Sequence, residues 1–359
     1  SWSRGLGDVY KRQIYSRSAE SVETHVEKVR ERGSAKFMES YYVGYGHASI
    51  GDCGTTTIFI EGLSILATKA IQDNPLYSGQ ETSTRYIDFS KQAILDPAGN
   101  DDTRSILDDW LGFYTGSTGE LVEHLKAHHP LQEGQNAAVW EKAVNARAFD
   151  ILRGFLPAGI TTQLSWSTNL RQAYDKLTLL RHHPLREVRD IANSTLDLLK
   201  AKYPSSFGHA LNPEREGYLQ RHGFAMNYSN LASEGSAPEF ACECGVDNPL
   251  LEAEALPLIN ERPERTNLPR LLSRYGRYRC RFNLDYGSFR DLQRHRNGLC
   301  RIPLLTEKLG FHEWYLAQLP ETLRSRADAL IAAQLDRIDA LTQNGLSAVD
   351  RQHYLPLGM

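Results

Sequence analysis

The 359-residue chain lacks any apolar run long enough to cross a bilayer, and no charged, apolar, small-residue leader pattern opens it. The expectation is therefore a cytoplasmic protein with no membrane partner. An excess of either charge is also missing, since Lys+Arg 41 against Asp+Glu 44 leaves a net charge of -3. Bulk electrostatics thus give no ground for expecting nucleic acid, and any affinity for phosphate must come from local arginines. Cysteine is scarce and odd in number: Cys53, Cys242, Cys244, Cys280 and Cys300. That pattern argues for a reducing compartment rather than a disulfide framework. Cys242-x-Cys244 has no second ligand pair at suitable spacing, so two loop cysteines are expected and no metal site. What is present, 41% hydrophobic and 24% charged residues, is the balance of a folded protein with room for two domains.

Residues 1–13 follow no periodicity and are set aside as a non-native tail. Ser18-Ala19-Glu20-Ser21 marks a helix start, with Val22, Val26 and Val29 on one face and Gly33 as the stop. Threonine and β-branched residues over Thr55–Glu61 favour a strand. Leu63, Leu66, Ala67, Ala70 and Ile71 then recur at helical spacing until Asp73-Asn74-Pro75 stops them. Helices are expected over Asp101–Ala127 and Ala137–Phe155, and an extended segment over Thr161–Trp166. Ser167-Thr168 is the expected cap of a helix reaching Arg181, with another helix starting at Pro184. Residues 206–250 read as a connector holding one short helix at Pro213–His222. Strict alternation over Tyr278–Tyr286 is the clearest strand signal in the chain. A helix over Ser288–Arg296 and a long amphipathic one from Leu323 to Ile338 follow. Leu355-Pro356-Leu357-Gly358 then echoes Leu156-Pro157-Ala158-Gly159. The order of elements occurs twice, which predicts one repeat over 14–205, the connector over 206–250, and a truncated second repeat over 251–359.

Two polar strings concentrate the chemistry. Ser78-Gly79-Gln80-Glu81-Thr82-Ser83-Thr84-Arg85-Tyr86 stands in the first half, and Arg294-His295-Arg296 in the second. Arg85 offers a planar fork of donors to a phosphate, and the Ser83 hydroxyl adds another. Glu81 can accept from a ribose hydroxyl or a cofactor group, while Arg153 and Arg181 are further fixed cations. A structural ion pair at a strand start is the competing reading of Glu81 and Arg85. For Arg294–Arg296 the alternative is a basic helix end that complements the helix dipole.

With His47-x-Ser49-x-x-Asp52, Gly62-Leu63-Ser64, Arg153-Gly154-Phe155-Leu156-Pro157, Trp166-Ser167-Thr168-Asn169-Leu170-Arg171 and Leu180-Arg181, the first half resembles the flavin-dependent thymidylate synthases. The resemblance covers roughly residues 35 to 205. In that family the head Arg-His-Arg and the tail ending in Ser-x-Arg-Tyr form one continuous motif. The resemblance implies an α/β (α+β) fold in two related units, each a small, mostly antiparallel sheet packed with long helices. It implies Gln80, Glu81, Ser83, Arg85 and Arg153 at dUMP or a related pyrimidine nucleotide. Arg181 would be the catalytic group, stabilising negative charge on the pyrimidine ring. His47, Ser49, Asp52, Asn169 and Arg171, with Arg294, His295 and Arg296, would contact FAD; Asp52 stands where the family has Glu. NADPH would reduce the flavin and methylenetetrahydrofolate would supply the carbon, so no enzyme nucleophile is required. The family builds each site where subunits of a tetramer meet, and a homodimer of this tandem chain would stand in for that tetramer.

Each half departs from the family motif. Asp73-Asn74-Pro75 occupies the head of the first copy, and Asn297-Gly298-Leu299-Cys300-Arg301 follows the second head in place of the tail. Each copy keeps what the other has lost, so a site shared between the repeats is expected. The alternative is a catalytically inactive homologue that binds nucleotide, flavin or nucleic acid, or acts as a scaffold.

Overall fold

The computed structural model describes residues 51–52, 54–84, 87–208, 210–229, 240–296 and 298–359. The expected N-terminal helix, the tail 1–13, His47, Ser49 and Arg85 lie outside them.

Three antiparallel strands form the main sheet in the order β1 (Thr55–Ser64), β3 (Thr161–Asn169), β2 (Ser78–Glu81). Ile58 stands opposite Trp166 and Ile60 opposite Leu164, while Phe59 and Gln80 both face Ser165. Alternation therefore sends Ile58, Ile60, Leu164 and Trp166 to the core and leaves Phe59 exposed on the other face. A bulge between Glu61 and Leu63 falls at Gly62, whose φ of 72° suits glycine. It shifts the register so that Ser64 can cap α1 (Ile65–Gln72), its side chain accepting from the Ala67 N–H.

Long helices cover the buried face. α2 (Asp101–His128) opens on an Asn100/Thr103 capping box and buries Trp110 and Tyr114. α3 (Ala137–Leu152), α4 (Leu170–Leu180), α5 (Arg186–Lys202) and α6 (Pro213–Asn227) follow. The expected cap of α4 at Ser167-Thr168 is corrected: the strand runs on to Asn169, whose side chain accepts from the Gln172 N–H. Asn169→Ala should cost about 1 kcal/mol in unfolding free energy, since it removes a cap. A chemical denaturation curve reads this, and an unchanged midpoint would refute the capping role.

The chain divides into two units, a main one that joins the chain up to Ser229 with Asp285–Met359 and a smaller one, Asn230–Leu284. This differs from the expected division at 205 and 250. The physical reason is packing: α8 (Tyr286–Gln293) and α9 (Glu321–Gln343) bury Phe289, Leu323 and Ile338 in the same core as β3 and α2. The smaller unit holds β4 (Phe240–Cys244), α7 (Asn248–Asn260), a 3-10 turn at Arg270–Tyr275 and β5 (Tyr278–Phe282). Its strands pair only with each other, and every residue of β5 is exposed. The strand expected over 278–286 thus stops at Phe282 as half of a solvent-facing ribbon, not a strand of the main sheet, and Asp285 caps the helix that starts at Tyr286. Cys242 and Cys244 sit on β4, not in a loop.

Inside the main unit, hydrogen bonds recur in matched pairs. Ile65 N–H donates to Ile160 O and Leu66 N–H to Ala158 O, just as Tyr286 N–H donates to Met359 O and Gly287 N–H to Leu357 O. The two Leu-Pro segments also pair with each other: Ala158 N–H donates to Leu355 O, and Leu357 N–H to Leu156 O. Gly159 N–H to His353 O and Gly358 N–H to Gly154 O complete the set. Exchanging the two segments maps this pattern onto itself, which is a local twofold relation. Counted along α1 and α8, the same relation places Lys69 opposite Arg290, Gln72 opposite Gln293 and Asp73 opposite Arg294.

Candidate functional site

The two halves of the polar signature meet. A cleft of about 290 Å³ is lined by Gln72, Tyr77, Gly79, Gln80, Glu81 and Ser83 from one side and by Gln293, Arg294 and Arg296 from the other. Three features set its shape. β2 hangs on β3, and Tyr77 donates to Ser165 O at 2.8 Å across the strand. Gly79 lies beneath that phenol, so any Cβ there would strike the Ser165 carbonyl oxygen and the Tyr77 ring. α8 ends at Arg294, which leaves Arg294, His295 and Arg296 exposed just past the helix rather than within it.

Beneath the cleft, Glu81 joins α1 to α8. Its carboxylate accepts from Lys69 Nζ at 2.8 Å and from Arg290 at 2.7 Å, with all three side chains at 4% exposure or less. Gln72 adds a donor at 3.2 Å. Burial pushes the Glu81 carboxyl up, but the two cations and their hydrogen bonds together outweigh it and hold the pKa at about 2. Lys69 goes the other way: burial lowers its ammonium to about 8 despite the pull of Glu81. Glu81 is thus an organising anion at the floor of the cleft, its carboxylate engaged by Lys69 and Arg290. β2 alternation makes the point, since Gln80 faces outward beside Ser165 while Glu81 pairs with Leu164 on the core side.

Arg153 reaches this region indirectly. It is buried, and its guanidinium lies 3.1 Å from Asp150 and 3.7 Å from Asp291, whose other oxygen holds Arg294 at 3.1 Å. Arg153 therefore positions a cleft residue and does not line the cleft. The remaining predicted residues stand elsewhere. Arg181 is held by Asn193 at 3.0 Å and Glu216 at 3.6 Å and is absent from the cleft wall. Asp52 and Arg171 pair with each other at 3.0 Å, and Asn169 caps α4.

Sequence reasoning missed Lys69, Gln72, Tyr77, Arg290 and Gln293. A lysine on the apolar stripe of α1, with an arginine at the matching place in the other repeat, was the available signal. Polar atoms remain unmatched here: Arg290 Nε and Nη1 and Gln293 Oε1 are buried with no partner among the described residues. Arg294 and Arg296 at the rim are two cations able to hold an anionic group such as a phosphate. No cluster of three or more His, Cys, Asp or Glu able to hold a metal occurs among the described residues.

The twofold-related place is different. Cys300 stands for Gly79, Ile302 for Glu81 and Asp73 for Arg294, and these line a smaller cavity of about 50 Å³ with His183, Tyr228 and Tyr286. Lys176 Nζ donates to Asp73 O at 2.7 Å. Burial, followed by the charges of Lys176 and Arg189, holds the His183 imidazole down at about 3, so it is neutral at physiological pH.

A model of the family described as thymidylate synthase complementing protein matches residues 9–205. The chain belongs to this family, the flavin-dependent thymidylate synthases. The matched region begins within the stretch set aside as a tail. A UPF0159 protein of Chlamydia muridarum is 27% identical over 335 residues, covering 77% of this chain and 62% of the relative. One from Chlamydia pneumoniae is 28% identical over 206 residues, covering 54% and 38%. A third, from Thermoplasma acidophilum, is 23% identical over 371 residues, covering 85% and 74%. The chain thus spans less than two thirds of the length of the two chlamydial relatives. No described helix is long and apolar enough to cross a membrane.

Proposed function

We propose that the chain is a flavin-dependent thymidylate synthase-like enzyme that carries out reductive methylation of dUMP, or a related pyrimidine nucleotide, at one cleft per chain. The observation carrying this reading is the meeting of the Gln80–Ser83 segment of one repeat with Arg294 and Arg296 of the other. Arg294 and Arg296 would hold phosphate, with the Ser83 and Gln80 side chains adding neutral hydrogen bonds. The Lys69–Glu81–Arg290 triad would fix the spacing between β2 and α8, and Asp291 would orient Arg294. FAD, held against the same rim, would supply the hydride, with NADPH and methylenetetrahydrofolate as co-substrates. Two such chains would assemble as a homodimer in place of the family tetramer.

A visible absorption spectrum of the purified chain tests the reading. Flavin bands that shift on addition of dUMP are expected. A colourless protein that cannot be reconstituted with FAD would sink it. A second reading, a binding-competent but inactive homologue, is favoured by Arg181, whose guanidinium is engaged by Asn193 and Glu216 away from the cleft. Folate-dependent release of the pyrimidine C5 proton separates the two.

A further inference from the structure

The ribbon of the smaller unit carries chemistry that the nucleotide cleft does not use. Cys242 on β4 stands directly opposite Cys280 on β5, and both are exposed. Their sulfurs lie 3.3 Å apart and share a hydrogen bond. Phe240 stacks on Phe282 at the next rung on that face, with centroids 6.1 Å apart, and Cys244 faces Tyr278 on the other side. The opposite face is ionic: Glu243 meets Arg279 at 3.6 Å and Arg281 at 3.4 Å. Strand register, aromatic stack and ion pairs all hold the two thiols face to face.

We propose that Cys242 and Cys280 form a reversible dithiol–disulfide site that reacts with small-molecule or protein disulfides. Directly opposed antiparallel residues have Cα atoms about 4.5–5.5 Å apart, inside the roughly 4.4–6.8 Å that a disulfide bridges without moving backbone. The reaction balances as an exchange. One thiolate attacks an external disulfide and releases one thiol of the reagent, giving a mixed disulfide. The second thiolate then attacks the protein sulfur and releases the other reagent thiol, while the two cysteine protons pass to the two released thiolates. The protein is oxidised by two electrons and the reagent is reduced by two. Cys244, two residues along the same face, provides a third thiol beside the pair, but its cross-strand partner is Tyr278. The bond would close a loop between positions 38 apart that contains α7 and the 3-10 turn. An isolated two-stranded ribbon is marginal on its own, so the bond would tie down the element that most needs it.

The test uses the full chain with oxidised glutathione, followed by alkylation of free thiols and peptide mapping. The expected result is loss of the mass of two hydrogens and a linked peptide pair carrying Cys242 and Cys280, fully reversed by dithiothreitol. Cys280→Ser should abolish the two-hydrogen loss, whereas Cys244→Ser and Cys300→Ser should retain it. Full alkylation of Cys242 and Cys280 after prolonged oxidation would overturn the proposal, as would a dominant linkage through Cys244 or Cys300. Protease digestion between residues 245 and 277, slower in the oxidised than in the reduced chain, is the independent readout. Equal cleavage rates would refute the tethering role.

Discussion

Replacing Glu81 with glutamine is expected to lower the unfolding free energy by about 3–5 kcal/mol, because it leaves two buried cations facing a neutral group. Lys69 and Arg290 are nearly excluded from solvent, and Arg290 already has two unmatched nitrogens. The triad does not have to be a large net source of stability for this to hold. Desolvation offsets most of the attraction in such a cluster, so Glu81→Leu combined with Lys69→Met and Arg290→Met should recover much of the loss. Urea unfolding of the single and triple variants decides the matter. A single variant as stable as the parent would show that the triad is not closed in solution.

The pH dependence has a definite sign. Glu81 has its folded pKa depressed from 4.5 to about 2, so its contribution is complete above 4.5 and is lost as pH falls towards 2. Lys69 is depressed from 10.5 to about 8, so the unfolded chain binds more protons between these values and stability rises with pH across that window. Stability measured across both windows should show an acid limb that Glu81→Gln removes.

Much of this arrangement was legible in the chain, though unevenly. The string Ser78–Tyr86 stood out as a polar signature, but the inward turn of Glu81 and the close approach at Gly79 depend on Lys69, Arg290 and Tyr77, which the fold brings to them. The recurrence of Leu-Pro segments and helix starts in order fits the mutual hydrogen bonds of those two segments. Lys69 and Arg290 could not be assigned, because a cation on an apolar stripe acquires meaning only from a carboxylate that the fold brings to it, 209 residues away in the case of Arg290. Arg181 shows the reverse case. Its motif neighbours matched, but α5 and α6 supplied Asn193 and Glu216, and local hydrogen bonds took the guanidinium. Residues 206–229 looked like connector because glycine and asparagine punctuate them. The helix expected within them over Pro213–His222 is present, capped by Asn212, and runs on to Asn227. Periodicity reports that a segment is a strand or a helix, but not which sheet or core it joins.

Titration with dUMP is expected to saturate at one nucleotide per chain, although the repeat offers two related places. At the first, Arg294 and Arg296 stand across from Gln80 and Ser83. At the second, an aspartate replaces the arginine and an isoleucine the glutamate, and His183, Tyr228 and Tyr286 narrow the space. An anion entering there would meet the Asp73 carboxylate, and the lysine on its wall, Lys69, is already paired with Glu81. Arg294→Ala should weaken binding by roughly 10- to 150-fold, the equivalent of about 1.5–3 kcal/mol for a charge-assisted contact. Asp73→Arg should not create a second site, because Cys300 and Ile302 still line that cavity and β2 has no counterpart beside it among the described residues. Calorimetry on the parent chain and both variants separates the possibilities. Two equivalents per chain, or undiminished affinity in Arg294→Ala, would show that the cleft between the half-signatures is not where the nucleotide binds. A stoichiometry of one would mean that the paired losses have divided labour within a duplicated fold, since neither repeat holds a complete signature without the other.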